Sequence, residues 1–265
     1  MIRYLAALAL MTSAAAAQTD ETLGQTTFSS QRSGPALGFT LRGGVATVPE
    51  YFGSEDNEIG PDVGFELNYL RLGRLEIGNP DPDFQKQGFG FTGSFRFIGE
   101  REEGEDSSLD GLGDVETSVE LGVGVEYILN NFEAFGAVRY GVIGHDGIVG
   151  EIGANLIARP TDRWTLKLGP RVNFGDDEFA QEYFGITASQ AASSIAGLPE
   201  FDADGGLISA GVEFGATYQI NDRWGIEGAI LYDELFDDAE DSPLSEDDSS
   251  FSARIGITRR FTLGF

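Results

Sequence analysis

Catalysis by a protein needs a nucleophile, a base or a metal, and this 265-residue sequence is sparing with all three. It has no cysteine, so thiolate chemistry and disulfides are excluded. It has one histidine, His145, which rules out a histidine-rich metal site. His145 lies between Gly144 and Asp146 in a stretch that reads as a tight turn, and it is taken as a turn or interface residue rather than as the base of a triad. Gly122-Val123-Gly124 is not a phosphate loop, because it sits inside a strand pattern with no helix after it. Asp202-Ala203-Asp204-Gly205 is too short for an EF-hand loop, which continues to a distal glutamate. The expectation is therefore no catalytic residue, no metal and no cofactor. The chemistry that remains is that of Glu116, Glu120 and Glu126, which share one face of an alternating segment. Three carboxylates cannot face lipid or a dry core without large cost. They suit a wet lumen, where acidic groups favour cations.

The element that must carry them is a β-strand. From Val115 to Tyr127, apolar Val115, Thr117, Val119, Leu121, Val123, Val125 and Tyr127 alternate with Glu116, Ser118, Glu120, Gly122, Gly124 and Glu126. The same period of two recurs from Leu37 to Val45, from Phe89 to Phe97, from Phe132 to Val142 and from Ile208 to Ile220. It is longest in Phe251–Phe265, whose odd positions are apolar except for Arg259. An oily strand ending on Phe261, Leu263 and Phe265 resembles the insertion signal read by the barrel assembly machinery of Gram-negative outer membranes. Short turns such as Pro160–Arg163 and Asn221-Asp222 alternate with long gaps, as in bacterial barrels. The pattern predicts an all-β, antiparallel up-and-down transmembrane barrel of about 12 strands, with ten as the alternative. Region 61–99 is where the count is open.

Composition agrees. Residues 1–17 read as a signal peptide with Arg3, an apolar core and Ala15-Ala16-Ala17. Residues 18–35 read as a flexible lead, and 36–265 as one monomeric barrel domain in outer-membrane lipid. No later window is apolar enough for a membrane helix. The 37 glycines argue against long helices. A net charge of −27 excludes nucleic acid and an anionic lipid surface as partners. The acid is concentrated in 50–58, 100–114, 176–182 and 233–248, which read as solvated loops. Trp164 and Trp224 follow short turns and read as interface anchors. The longest break, 175–204, holds Tyr183, Phe184, Gly185, Leu198, Pro199 and Phe201, an apolar and turn-forming set that a free loop would avoid. The segment is expected to fold back over the barrel mouth or into the lumen, anchored by Tyr183 and Phe184.

The chain resembles the MipA/OmpV family, named for the MltA-interacting protein. The resemblance rests on Pro49-Glu50-Tyr51-Phe52-Gly53-Ser54, Leu109-Asp110-Gly111-Leu112-Gly113-Asp114, Gly144-His145-Asp146-Gly147, Tyr183-Phe184-Gly185-Ile186, Gly197-Leu198-Pro199 and Asp241-Ser242-Pro243-Leu244. Phe201 and Ala196 depart from the family's usual Tyr and Ser. The resemblance implies a non-enzymatic outer-membrane barrel of the cell envelope. It also implies a scaffold between a murein hydrolase and a murein synthase, with adhesion or antibiotic passage in other members. A narrow cation-preferring channel is the alternative raised by the three glutamates. Deleting Phe265 is expected to lower outer-membrane levels of the protein while leaving secretion intact, as read by membrane fractionation; normal levels would contradict the insertion-signal reading.

Overall fold

The computed structural model describes residues 36–78, 87–104 and 106–264. The expected signal peptide, the expected lead, the turn expected at 79–82 and Phe265 lie outside the described residues. The strands are β1 (Ala36–Pro49), β2 (Asn57–Leu72), β3 (Leu75–Gly78), β4 (Gly88–Ile98), β5 (Ser118–Ile128), β6 (Phe132–Ile143), β7 (Ile148–Thr161), β8 (Trp164–Gly175), β9 (Gly206–Asn221), β10 (Trp224–Leu235) and β11 (Ser249–Gly264). They form one antiparallel sheet in the order β3-β2-β1-β11-β10-β9-β8-β7-β6-β5-β4. The first strand pairs with the last, from Ala36 opposite Gly264 to Thr47 opposite Ala253, and this rolls the meander into a barrel.

Ten strands among the described residues are long enough to span; β3 has four residues and pairs only with the end of β2. The figure of about 12 is therefore corrected to the alternative, ten. The excess arose in region 61–99, where Leu75–Gly78 is the short return arm of a hairpin rather than a spanning strand. One further boundary shifts. Alternation continues back through Glu116 and Val115, but ladder pairing of β5 begins at Ser118, opposite Ile98. Val115 instead makes an isolated bridge to Arg101.

Alternation sorts the two faces. On β4, Phe89, Phe91, Phe95 and Phe97 are exposed on the outside, whereas Thr92, Ser94 and Arg96 point inward. At Gly122, which points inward, there is no room for a side chain: a Cβ would lie 2.0 Å from the Val138 carbonyl oxygen. At one end of the barrel the connections are short, at 73–74, 129–131, 162–163 and 222–223. Exposed Arg74, Arg159, Arg163 and Arg223 stand in or beside them.

At the other end the five longer connections fold together as a cap. They contain α1 (Asp177–Phe184), α2 (Ala188–Ser193) and α3 (Asp238–Asp241). The Asp176 side chain caps α1 by accepting from the Phe179 amide, and Thr187 and Gln190 form a capping box on α2. Helical spacing then places Phe179, Ala180, Tyr183 and Phe184 on one buried face, against Val115, Val149, Ile208 and Ala239. A second cluster joins Tyr51, Leu109, Leu112, Ile186 and Leu244, so all the long connections except 144–147 contribute to one or the other. The ring of Phe52 lies 5.1 Å from that of Tyr183 and 5.6 Å from that of Phe184. The Tyr183 hydroxyl donates to Ser118 Oγ at 2.8 Å, fixing α1 to the rim of β5.

Two outcomes are expected. Phe184 is 0% exposed, and Phe184→Ala should destabilise the cap by about 3–5 kcal/mol. Limited proteolysis should then cut within 176–205, while the heat-modifiable gel mobility of the barrel persists. Burial also pushes the phenols of Tyr51 and Tyr183 up to about 12. Both stay neutral in the fold at pH values where an unfolded tyrosine ionises, near pH 10. Their contribution to stability is full below that point and is lost as pH rises from about 10 to about 12. In an ultraviolet titration the phase near pH 12 should lose amplitude in Tyr183→Phe; an unchanged phase would place Tyr183 in water.

Candidate functional site

The inward faces carry charge in matched pairs. Arg42 on β1 donates through Nε to Asp62 of β2 at 2.6 Å and through Nη1 to Glu227 of β10 at 2.7 Å. Glu213 on β9 accepts from Arg171 of β8 at 2.9 Å and from Arg254 of β11 at 3.0 Å. Arg171 also donates to Asn155, whose amide donates to Glu133, and Lys167 Nζ completes that chain at 2.6 Å from Glu133. Toward the cap, Arg139 of β6 lies between Glu120 and Glu151, at 2.8 Å from each. These groups are wholly or partly buried, and each carboxylate is neutralised where it would otherwise be costly.

His145 closes the upper end of this network. Its Nδ1 accepts from the Gly147 amide at 3.0 Å, which assigns the remaining ring proton to Nε2. Nε2 faces Glu120 Oε1 at 3.4 Å without hydrogen-bond alignment. The ring packs edge-on against Phe179 and Tyr183 of the cap. His145 and Glu120 are thus a buried brace between barrel and cap.

The three glutamates singled out by spacing are not brought together. Glu120 is 0% exposed and held by Arg139. Glu126 lines the lumen. Glu116 precedes β5 and is exposed, because the ladder has not yet begun there. In the long connection, Tyr183, Phe184 and Gly185 are buried, Leu198 and Phe201 are half-buried, and Pro199 is exposed. Phe201 bridges to Ile186 through two backbone hydrogen bonds, at 2.8 and 2.9 Å. Phe261 stacks on Phe39 of β1 at 5.2 Å, and Leu263 is exposed on the outer face of β11. Trp164 stands at the short-turn end against Tyr218, and Trp224 at the same end beneath the Arg259 guanidinium.

Sequence reasoning missed α1, because Asp176, Asp177, Glu178 and Glu182 made the stretch look like a solvated gap. The signal was available in Phe179, Ala180, Tyr183 and Phe184 at helical spacing after Asp176. It also missed the cations that neutralise the lumen, Arg42, Arg139, Arg171 and Arg254, each isolated in its own strand.

Two interior spaces are lined by described residues. One, of about 590 Å³, lies in the lumen among the paired charges. The other, of about 270 Å³, lies just under the cap and is lined by Phe52, Arg96, Arg101, Phe179, Tyr183 and Asp233 among others.

Comparison with known proteins follows this geometry. No curated protein matches the chain. The translocator domain of the autotransporter NalP from Neisseria meningitidis aligns over 88% of this chain and 90% of its own, at 13% identity and a TM-score of 0.44. The outer membrane protein OprG from Pseudomonas aeruginosa aligns over 87% and 98%, at 14% identity and a TM-score of 0.32. Neisserial surface protein A aligns over 84% and 97%, at 10% identity and a TM-score of 0.29. The sequence profile described as "MltA-interacting protein MipA" matches residues 19–261. With a ten-strand spanning barrel and a profile match over nearly the whole chain, this is an outer-membrane β-barrel that belongs to the family of the MltA-interacting protein MipA.

Proposed function

We propose that the protein is a non-enzymatic interaction protein of the envelope that holds murein-remodelling enzymes at the short-turn end of its barrel. The observation that carries this reading is a barrel braced inside and closed at one mouth. Ion pairs run along the inner wall between strands two apart in the sheet, β1 to β10 and β9 to β11, and the cap covers the long-loop end with its own apolar core. Such a body suits holding partners in place better than conducting solute. The family description names an MltA-interacting protein. By the general rule that short turns face the periplasm, murein enzymes would meet the end that carries Arg74, Arg159, Arg163 and Arg223. The non-enzymatic part of the reading is supported by the state of the one histidine, which is buried against Glu120 and the cap.

Passage of ions or small molecules is the second reading, and the lumenal space of about 590 Å³ favours it. Against a cation path, the carboxylates Asp62, Glu120, Glu133, Glu213 and Glu227 are all paired with cations.

Photo-crosslinking amino acids at positions 163 and 223, with position 195 in the cap as the reference, separate these readings in intact envelopes. Capture of a murein hydrolase or synthase from 163 or 223 but not from 195 is expected. The purified protein should also be silent in planar bilayers. Steady cation-selective conductance with no captured murein enzyme would replace the scaffold reading by the channel.

A further inference from the structure

The overall charge of −27 speaks against an anionic surface as partner, but one rim of the barrel runs against that total. Around the short turns from β7 to β11 stand Arg159, Arg163, Arg223, Arg259 and Arg260, against Asp162 and Asp222. Among the described residues none of these guanidiniums has a carboxylate within 4.0 Å, unlike Arg42, Arg139, Arg171 and Arg254 of the lumen.

Arg259 is the one that stands on the lipid side. It belongs to the outward column of β11, in which Ile255, Ile257 and Leu263 are exposed. Its Cζ lies 4.8 Å from the ring centres of both Trp224 and Phe261, so the cation is flanked by two aromatic side chains. Trp224 is its register partner on β10. Arg223 precedes Trp224 in the turn, and its carbonyl accepts from the Arg260 amide at 2.8 Å. A guanidinium on a lipid-facing wall is costly at mid-bilayer and tolerated near the interface, where headgroups reach it. The rings cover the guanidinium and leave its N–H edge without a protein acceptor among the described residues.

Farther along the same wall is an apolar groove of about 460 Å³. Phe214, Ile230 and Ile255 flank it, and the small side chains of Ala216 and Ala253, with Gly228, leave it open. Ile255 lies on the same strand face as Arg259, about 13 Å along β11. An unpaired cation at the interface and an apolar channel deeper in the bilayer are thus aligned on one face.

We propose that the outer wall of β9–β11 binds an anionic phospholipid of the leaflet at the short-turn end. Its phosphate sits against Arg259 and Arg223 beside Trp224, and one acyl chain runs along β10 and β11 into the groove. Two features favour lipid over an acidic protein. Arg259 is on the wall rather than in a turn, and the groove takes an apolar occupant. The proposal goes beyond the murein reading and does not need it. It shares Arg223 with that reading but rests on Arg259, and it is read through lipid alone.

The chain has two tryptophans, Trp164 and Trp224, so Trp164→Phe leaves a single reporter at the site. This variant, checked for folding by heat-modifiable gel mobility, is reconstituted into phosphatidylcholine vesicles. They carry an increasing share of dibromo-acyl phosphatidylglycerol or, in parallel, of dibromo-acyl phosphatidylcholine, whose bromines quench an indole they touch. Phosphatidylglycerol should quench Trp224 at about a fivefold lower share than phosphatidylcholine, the effect of one arginine beside an anionic headgroup. Arg259→Gln in the same background should remove most of that preference, and Arg259→Lys should restore part of it. Inorganic phosphate should leave it in place, since it brings no chain. Equal quenching by the two lipids, a preference that survives Arg259→Gln, or one that inorganic phosphate abolishes would each overturn the proposal. So would capture of a murein enzyme that depends on Arg259 while the lipid preference does not, which would make the patch a protein contact.

Discussion

In hydrocarbon, a backbone amide without a partner costs several kcal/mol, and no water is present to relieve it. That constraint governs this molecule. Pairing of β1 with β11 turns a meander with two bare edges into a barrel in which nearly all strand edges are satisfied. Once the ladder is rolled up, alternate side chains have no choice of environment. Phe89, Phe91 and Ile255 face lipid, and Arg42, Glu213 and Arg254 face one another.

The interior follows from that enforced neighbourhood. Charges placed on a narrow lumen are partly desolvated, so each needs an opposite charge within reach. Arg42 finds one on β2 and another on β10, tying the two sides of β1 together. Glu213 does the same for β8 and β11. The inward glycines keep backbones close enough for these side chains to meet. Above, the long connections would be acidic coils if they were independent. They are ordered because the apolar face of α1 has no other place to go than against Ile208, Val149 and the ring of Phe52.

Much of the barrel was legible one strand at a time. The alternation in Leu37–Val45, Phe89–Phe97 and Phe251–Phe261 marks spanning strands, because a period of two is imposed by the pleat itself. Glu116 misled for the same reason. Alternation runs smoothly into a segment whose backbone pairs with Arg101 rather than with β4. The count misled at Leu75, where apolar residues serve a four-residue return arm. The lumenal pairs were out of reach, since Arg42 and Glu227 are 185 residues apart and meet only through the register of strands that share no local signal. In the cap, Tyr183 and Phe184 stood out as aromatics in a loop. Their helix did not, because acidic first-turn residues favour a helix start and a solvated coil alike.

No hydrogen-bonded ladder joins β2 to β4 among the described residues although the two run side by side, and this seam gives the barrel a mechanical character. A fully laddered barrel resists a change in girth all round, because widening it anywhere breaks hydrogen bonds. Here the hoop has one segment, between β2 and β4, without a ladder among the described residues. Any squeeze or stretch from a bilayer that thins, thickens or curves is taken up first at that segment. The braced wall opposite, from β6 to β11, keeps its shape. The molecule is therefore stiff on one flank and compliant on the other, and its response to membrane tension has a direction in the plane of the bilayer.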